Sequence, residues 1–154
     1  TGAAWRAGSR QLAATSPDAL IVAAEEIEIA TGLEPNTLRG PWAEGDLSPT
    51  VAAARALIDS GVTEVLVTNK RTESLYVSES ESLLASYDST PGKQGVNWRE
   101  SFTAGFLAAS NDGKSTEDSV INAVAYANAE GSEWDNYIPT PDKLRAEHVV
   151  IKSL

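Results

Sequence analysis

The sequence predicts an α/β fold in which a sheet is covered by helices, on three observations. Short apolar runs such as Ala19-Leu20-Ile21-Val22 alternate with segments of helical spacing almost throughout. Glycines and prolines stand between these segments as turn signals. The 154 residues are 42% hydrophobic, enough for one sizeable core and for a single domain spanning 1–154.

The elements follow in order. Ala3 to Ala14 fits a short helix, and Ser16-Pro17-Asp18 is a turn leading into the buried strand Ala19 to Val22. Glu25 to Ala30 is a short acidic helix stopped at Gly32, a residue suited to the left-handed conformation past a helix end. Leu33 to Leu47, rich in Pro, Gly and Asn, reads as a loop. Ser48-Pro49-Thr50 reads as an N-cap followed by proline at the first helical position. Val51, Ala54, Leu57 and Ile58 then make one apolar face of a helix ending at Gly61.

Glu64 to Thr68 is a strand with Val65 and Val67 on one face, and Ser74 to Ser78 and Leu83 to Tyr87 complete a small meander. Beyond the loop Asp88 to Val96, helices are expected from Arg99 to Ser110 and from Thr116 to about Ala129, broken at Asn111-Asp112-Gly113. Ile138 to Asp142 is a turn launching a short helix, and His148 to Ile151 is suited to an edge strand. Strands are expected to be parallel wherever helices cross over between them.

Composition narrows the function classes. A net charge of −10 disfavours a sequence-independent grip on nucleic acid or on an anionic membrane. Cysteine is absent, which removes disulfide frameworks and thiolate metal sites, and no stretch approaches the length of a membrane span. Thr1 to Leu12 has no signal-peptide pattern, so a cytoplasmic location is expected. His148 has no second histidine to share a metal, and no serine sits in a Gly-x-Ser-x-Gly elbow. The pairs Glu79, Glu81 and Glu25, Glu26 read as solvated faces before cation sites.

The informative stretch runs from Asn97 to Gly131 and holds Ser101-Phe102-Thr103-Ala104-Gly105-Phe106-Leu107, then Gly113-Lys114-Ser115, then the Ala-rich Ala123 to Ala129. It resembles the closing section of PfkB or ribokinase-type sugar kinases, where a Gly-Ala-Gly-Asp-Ser-Phe signature opens a helix. Residues 16 to 33 are similar to the family's strand and Asn-x-x-Glu motif, and residues 51 to 68 to the helix and strand before its nucleotide loop. The resemblance spans nearly the whole chain and is strongest to the 1-phosphofructokinase and tagatose-6-phosphate kinase branch. It implies the C-terminal half of a three-layer ribokinase-like sandwich, an incomplete one. The family's N-terminal half supplies most of the sugar pocket and its lid.

By the same resemblance, Asn97, Trp98 and Arg99 stand where the family's glycines let backbone amides reach the transferring phosphate, and Glu100 stands where its aspartate takes the sugar hydroxyl proton. Thr68 and Lys70 fall at the nucleotide loop, where Asn69 to Glu73 carries neither of the family's two glycines. Ala23 replaces the motif asparagine, and Glu26, the retained acid, would help hold Mg2+. Two readings follow. One is a kinase-like subunit, non-catalytic or weakly active, serving assembly or regulation with another chain or a second copy completing the sheet. The other is an ATP- and Mg2+-dependent phosphotransferase acting on a sugar phosphate such as fructose 1-phosphate or tagatose 6-phosphate, in which Lys70, Arg71, Lys93 and Arg99 hold phosphates by charge. The plainer expectation for Trp98 to Glu100 is a helix start, with Glu100 favourable at the positive end of the dipole and Trp98 packed on the sheet.

Overall fold

The computed structural model describes residues 17–90, 98–129, 141 and 144–154; the helix expected at Ala3 to Ala14 and the turn expected at Ile138 to Asp142, apart from Pro141, lie outside them. Five strands, β1 (Ala19–Ala23), β2 (Glu64–Asn69), β3 (Glu73–Ser78), β4 (Ser82–Tyr87) and β5 (Val149–Ser153), form one sheet in that order. The helices are α1 (Ala24–Thr31), α2 (Arg39–Ala43), α3 (Ser48–Asp59), α4 (Trp98–Asn111) and α5 (Thr116–Asn128), with a 3-10 turn at Ala146–His148.

Strand directions follow from the connections. β1 and β2 are parallel, in register from Ala19 opposite Glu64 to Ala23 opposite Thr68, and the long connection through α1, α2 and α3 supplies the crossover such a pair needs. Lys70 to Thr72 and Glu79 to Glu81 are too short to cross over, so β2, β3 and β4 run as an antiparallel meander. β5 lies antiparallel to β4, Leu83 opposite Ser153. Parallel strands were expected wherever a helix crosses over, which holds for β1 and β2, whereas the connection through α4 and α5 is not a crossover. Two helices joined by a short turn form a hairpin that brings the chain back to the end it left, so the next strand runs the other way.

The chain divides into two compact units, one of residues up to Asn69 with Leu75–Ser82, the other of Lys70–Ser74 with residues from Leu83 on. In the first unit Val65, Leu66 and Val67 are all fully buried. β2 is thus covered on both faces, as parallel strands are, and not only on the face of Val65 and Val67. α1 follows β1 without a loop, and Gly32 ends it at φ 73° with the Leu33 amide donating back to the Glu28 carbonyl. α3 begins at Ser48 itself, so Pro49 is its second residue, and the Asp46 side chain, not Ser48, meets an amide there by accepting from Ser48 N at 2.9 Å. Gly61, at φ 117°, turns the chain into β2.

The stretch Leu33 to Leu47 is not all loop, because it contains α2. The cause is Glu28, which is 2% exposed. Its Oε1 accepts from the amides of Leu38 at 2.9 Å and Arg39 at 3.2 Å, the first free donors of α2, and its Oε2 accepts from Asn36 N at 3.2 Å. The Arg39 guanidinium closes on the same oxygen at 3.1 Å. Asn36 takes the left-handed conformation, φ 68°, that aims these amides inward.

In the second unit α4 and α5 pack through small residues. A Cβ on Gly105 would lie 2.8 Å from Cδ2 and 2.9 Å from Cβ of Tyr126, so only glycine permits this approach. Asn122 Nδ2 donates to the Gly105 carbonyl at 2.7 Å across the same contact. Ser115 caps α5 by accepting from Asp118 N at 3.1 Å. His148 sits edge-on to Tyr87 with Nδ1 3.4 Å from Asp88 Oδ1, a packing role at the start of β5.

Burial pushes the Glu28 carboxyl up, but the amides of Leu38, Arg39 and Asn36 and the Arg39 side chain outweigh it and hold it below its ordinary value of 4.5. Its contribution is therefore complete above the unfolded pKa and is lost as pH falls through the lower folded one. Glu28→Ala, which strands these donors, should cost about 3 kcal/mol in urea unfolding at neutral pH. Glu28→Gln should cost less and flatten the loss of stability below about pH 4; an unchanged acid limb would contradict the assignment.

Candidate functional site

The expected site residues fall in both units. In the first, Glu26 is the third residue of α1, and its Oε2 accepts from Ala23 N at 2.7 Å. Its carboxylate thus does half the work of a capping box, whose other half Ala23 cannot supply. Among the described residues no group of three or more His, Cys, Asp or Glu side chains is placed to hold a metal. Thr68, near the end of β2, is 2% exposed, and its hydroxyl donates to the Val22 carbonyl at 3.3 Å. Its oxygen is used between neighbouring strands.

In the second unit Lys70 opens the β2–β3 turn with φ 60°, in the left-handed region. The turn therefore has the backbone conformation glycine serves, carried by a side chain that opposes it. Asn128, the last residue of α5 and 1% exposed, donates from Nδ2 to the Arg71 carbonyl at 2.7 Å and to Val124 O at 2.9 Å. This clip fastens α5 to the turn. Sequence reasoning absorbed Asn128 into an Ala-rich helix; a lone amide among small apolar residues on a buried face was the available signal.

Trp98, Arg99 and Glu100 make the first turn of α4, one residue earlier than the sequence predicted. Trp98 is half-buried, and the Arg99 guanidinium lies 5.9 Å from its ring centroid, a cation–π contact between chain neighbours. Glu100 is exposed at the positive end of the helix dipole. Asn97 and Lys93 lie outside the described residues.

This order of strands and helices is the α/β fold of the ribokinase-like kinases. The chain matches a candidate phosphofructokinase from Staphylococcus aureus with a TM-score of 0.75 over 95% of its length at 21% identity. It matches the pyridoxal kinase of the same organism at 0.68 over 97% and 18% identity, and Phosphofructokinase-2 from Escherichia coli at 0.64 over 83% and 16% identity. It covers 45%, 57% and 38% of those chains respectively, so it spans about half their length. No protein-family profile and no curated protein matches the sequence.

The turn offers a direct test. A left-handed side-chain residue costs about 1–2 kcal/mol, part of which glycine returns as unfolded-chain entropy. Lys70→Gly should therefore raise stability by about 0.5–1 kcal/mol in thermal or urea unfolding, whereas Lys70→Ala, which removes the charge and keeps the Cβ, should not. Equal effects of the two would show that φ is not the cause.

Proposed function

We propose that the chain is a single PfkB-type sugar-kinase-like domain of the cytoplasm, non-catalytic or weakly active, that serves as a subunit or as an assembly or regulatory module. The observation that carries this reading is the first turn of α4, where Trp98 and Arg99 stack on each other. An anion hole made of backbone amides needs that position open, and two large side chains occupy it. Glu100 in place of an aspartate adds a methylene, and a displacement of about 1 Å in a proton acceptor is able to cost about 10²-fold. The oxygens of Glu26 and Thr68 have partners within the fold that a magnesium or nucleotide role would compete with.

The second reading, ATP-dependent phosphotransfer to a sugar phosphate with Mg2+, is favoured by the left-handed turn at Lys70, which keeps a glycine-like backbone where the nucleotide loop belongs. Under it Glu100 is the base and Arg99 and Lys70 meet phosphates by charge.

Assembly has its own support at β1. Among the described residues it pairs only with β2, and Ala19, Leu20 and Ile21 are half-buried although the strand is wholly apolar. A strand apolar on both faces belongs inside a sheet, and an open edge of that kind invites pairing. A second copy or another chain is the proposed cover.

Calorimetry with millimolar ATP, with and without Mg2+, should give no heat of binding, and no phosphorylation of fructose 1-phosphate or tagatose 6-phosphate should be detected in a coupled assay. Saturable heat together with product would establish the second reading instead. Light scattering should give a mass above the 16.3 kDa of one chain; a monodisperse species of that mass would sink self-pairing.

A further inference from the structure

The second unit contains a cavity of about 400 Å³ between α4, α5 and the segment before β5, within the range of about 300–1,000 Å³ typical of small-molecule sites. Its lining is partly apolar, with Ala109 of α4, Ile121 of α5 and Leu144. The turn Gly113-Lys114-Ser115, which the kinase reading leaves without a task, contributes Lys114. Asp112, Asp118 and Asn122 add polar side chains to the lining.

Among the described lining residues, acceptor side chains outnumber cationic ones. Asp112 and Asp118 make no ion pair or side-chain hydrogen bond among the described residues. Asp118 and Asn122 are one helical turn apart on the same face of α5. The amide nitrogen of Asn122 is committed to the Gly105 carbonyl at 2.7 Å, which leaves its Oδ1 as the group available to a ligand. Two carboxylates and a carbonyl in a lining that also includes Ala109, Ile121 and Leu144 match a head with several N–H donors and a positive charge, and a primary ammonium has three donors. Lys114 is the one cationic side chain among the described lining residues and adds a position for a carboxylate.

We propose that this cavity binds a small primary ammonium compound with a compact apolar body, an aliphatic amine or an apolar α-amino acid. The assignment does not depend on whether the chain binds nucleotide.

The test is a titration of the 15N-labelled full chain, followed by amide chemical shifts, with 3-methylbutylamine, L-leucine and 4-methylpentanoate. The amine, leucine or both should shift the amides of Ala109, Asp118 and Asn122 saturably, and the acid should not. Leucine binding more tightly than the amine assigns the amino-acid class and a role for Lys114; the amine alone assigns the amine class. Asp118→Asn, an exposed change that leaves the Ser115 cap intact, should weaken binding by about tenfold or more, and Asp112→Asn serves as a second, independent removal of charge. Absence of saturable shifts with all three compounds, equal binding of the acid, or unchanged affinity in both variants would overturn the proposal.

Discussion

The path of the first unit rests on one buried carboxylate. Between the parallel strands β1 and β2 the chain runs through α1, α2 and α3, and the segment between α1 and α3 buries Leu38, Trp42 and Leu47 but also has backbone amides to satisfy. Glu28 supplies the fixed point, since its two oxygens gather the amides of Asn36, Leu38 and Arg39 and the Arg39 guanidinium. Burying a charge is costly, and charge-assisted bonds to several donors offset that cost only when all of them are met. Here they are, which is why the carboxyl stays ionised below its ordinary range. The same Arg39 also reaches Glu25 at 3.5 Å, but that pair is exposed and contributes little.

The second unit is held by a different device, close approach of small residues. Gly105 brings α4 onto Tyr126, Asn122 bonds the carbonyl of that glycine, and Phe102, Phe106, Val120 and Val124 fill the buried faces. Asn128 then fixes the β2–β3 turn to the end of α5. These contacts account for the part of the family resemblance that is best kept, Ser101 to Leu107 and the Ala-rich helix. They are packing contacts, and they are equally useful to an enzyme and to a scaffold.

Much of the fold was legible in the sequence because it depends on local signals. Gly32 and Gly61 end helices where the sequence placed the stops, and the apolar runs of β1 to β4 are strands. What was missed depends on contacts distant in sequence. α2 forms because a glutamate eleven residues before its first residue meets its free amides, and nothing within Arg39 to Ala43 announces it. The direction of β5 depends on the pairing of α4 with α5. Of the candidate site, the position of Trp98 to Glu100 at a helix start was readable from the motif. The engagement of the Thr68 hydroxyl with Val22, 46 residues away, was not.

Positions 105 and 70 show how the fold meets two kinds of local strain. At 105 a side chain would press on the Cβ of Tyr126, an atom tied to a helix backbone that cannot swing away, and overpacking of that kind typically costs about 1–3 kcal/mol. Glycine stands there. At 70 the penalty is confined to one torsion in an exposed turn, about 1–2 kcal/mol, and a lysine stands there. Energies of similar size are met differently because their sources differ: at 105 the strain would fall between two packed helices, whereas at 70 it is a single backbone torsion that the turn absorbs without moving a neighbour.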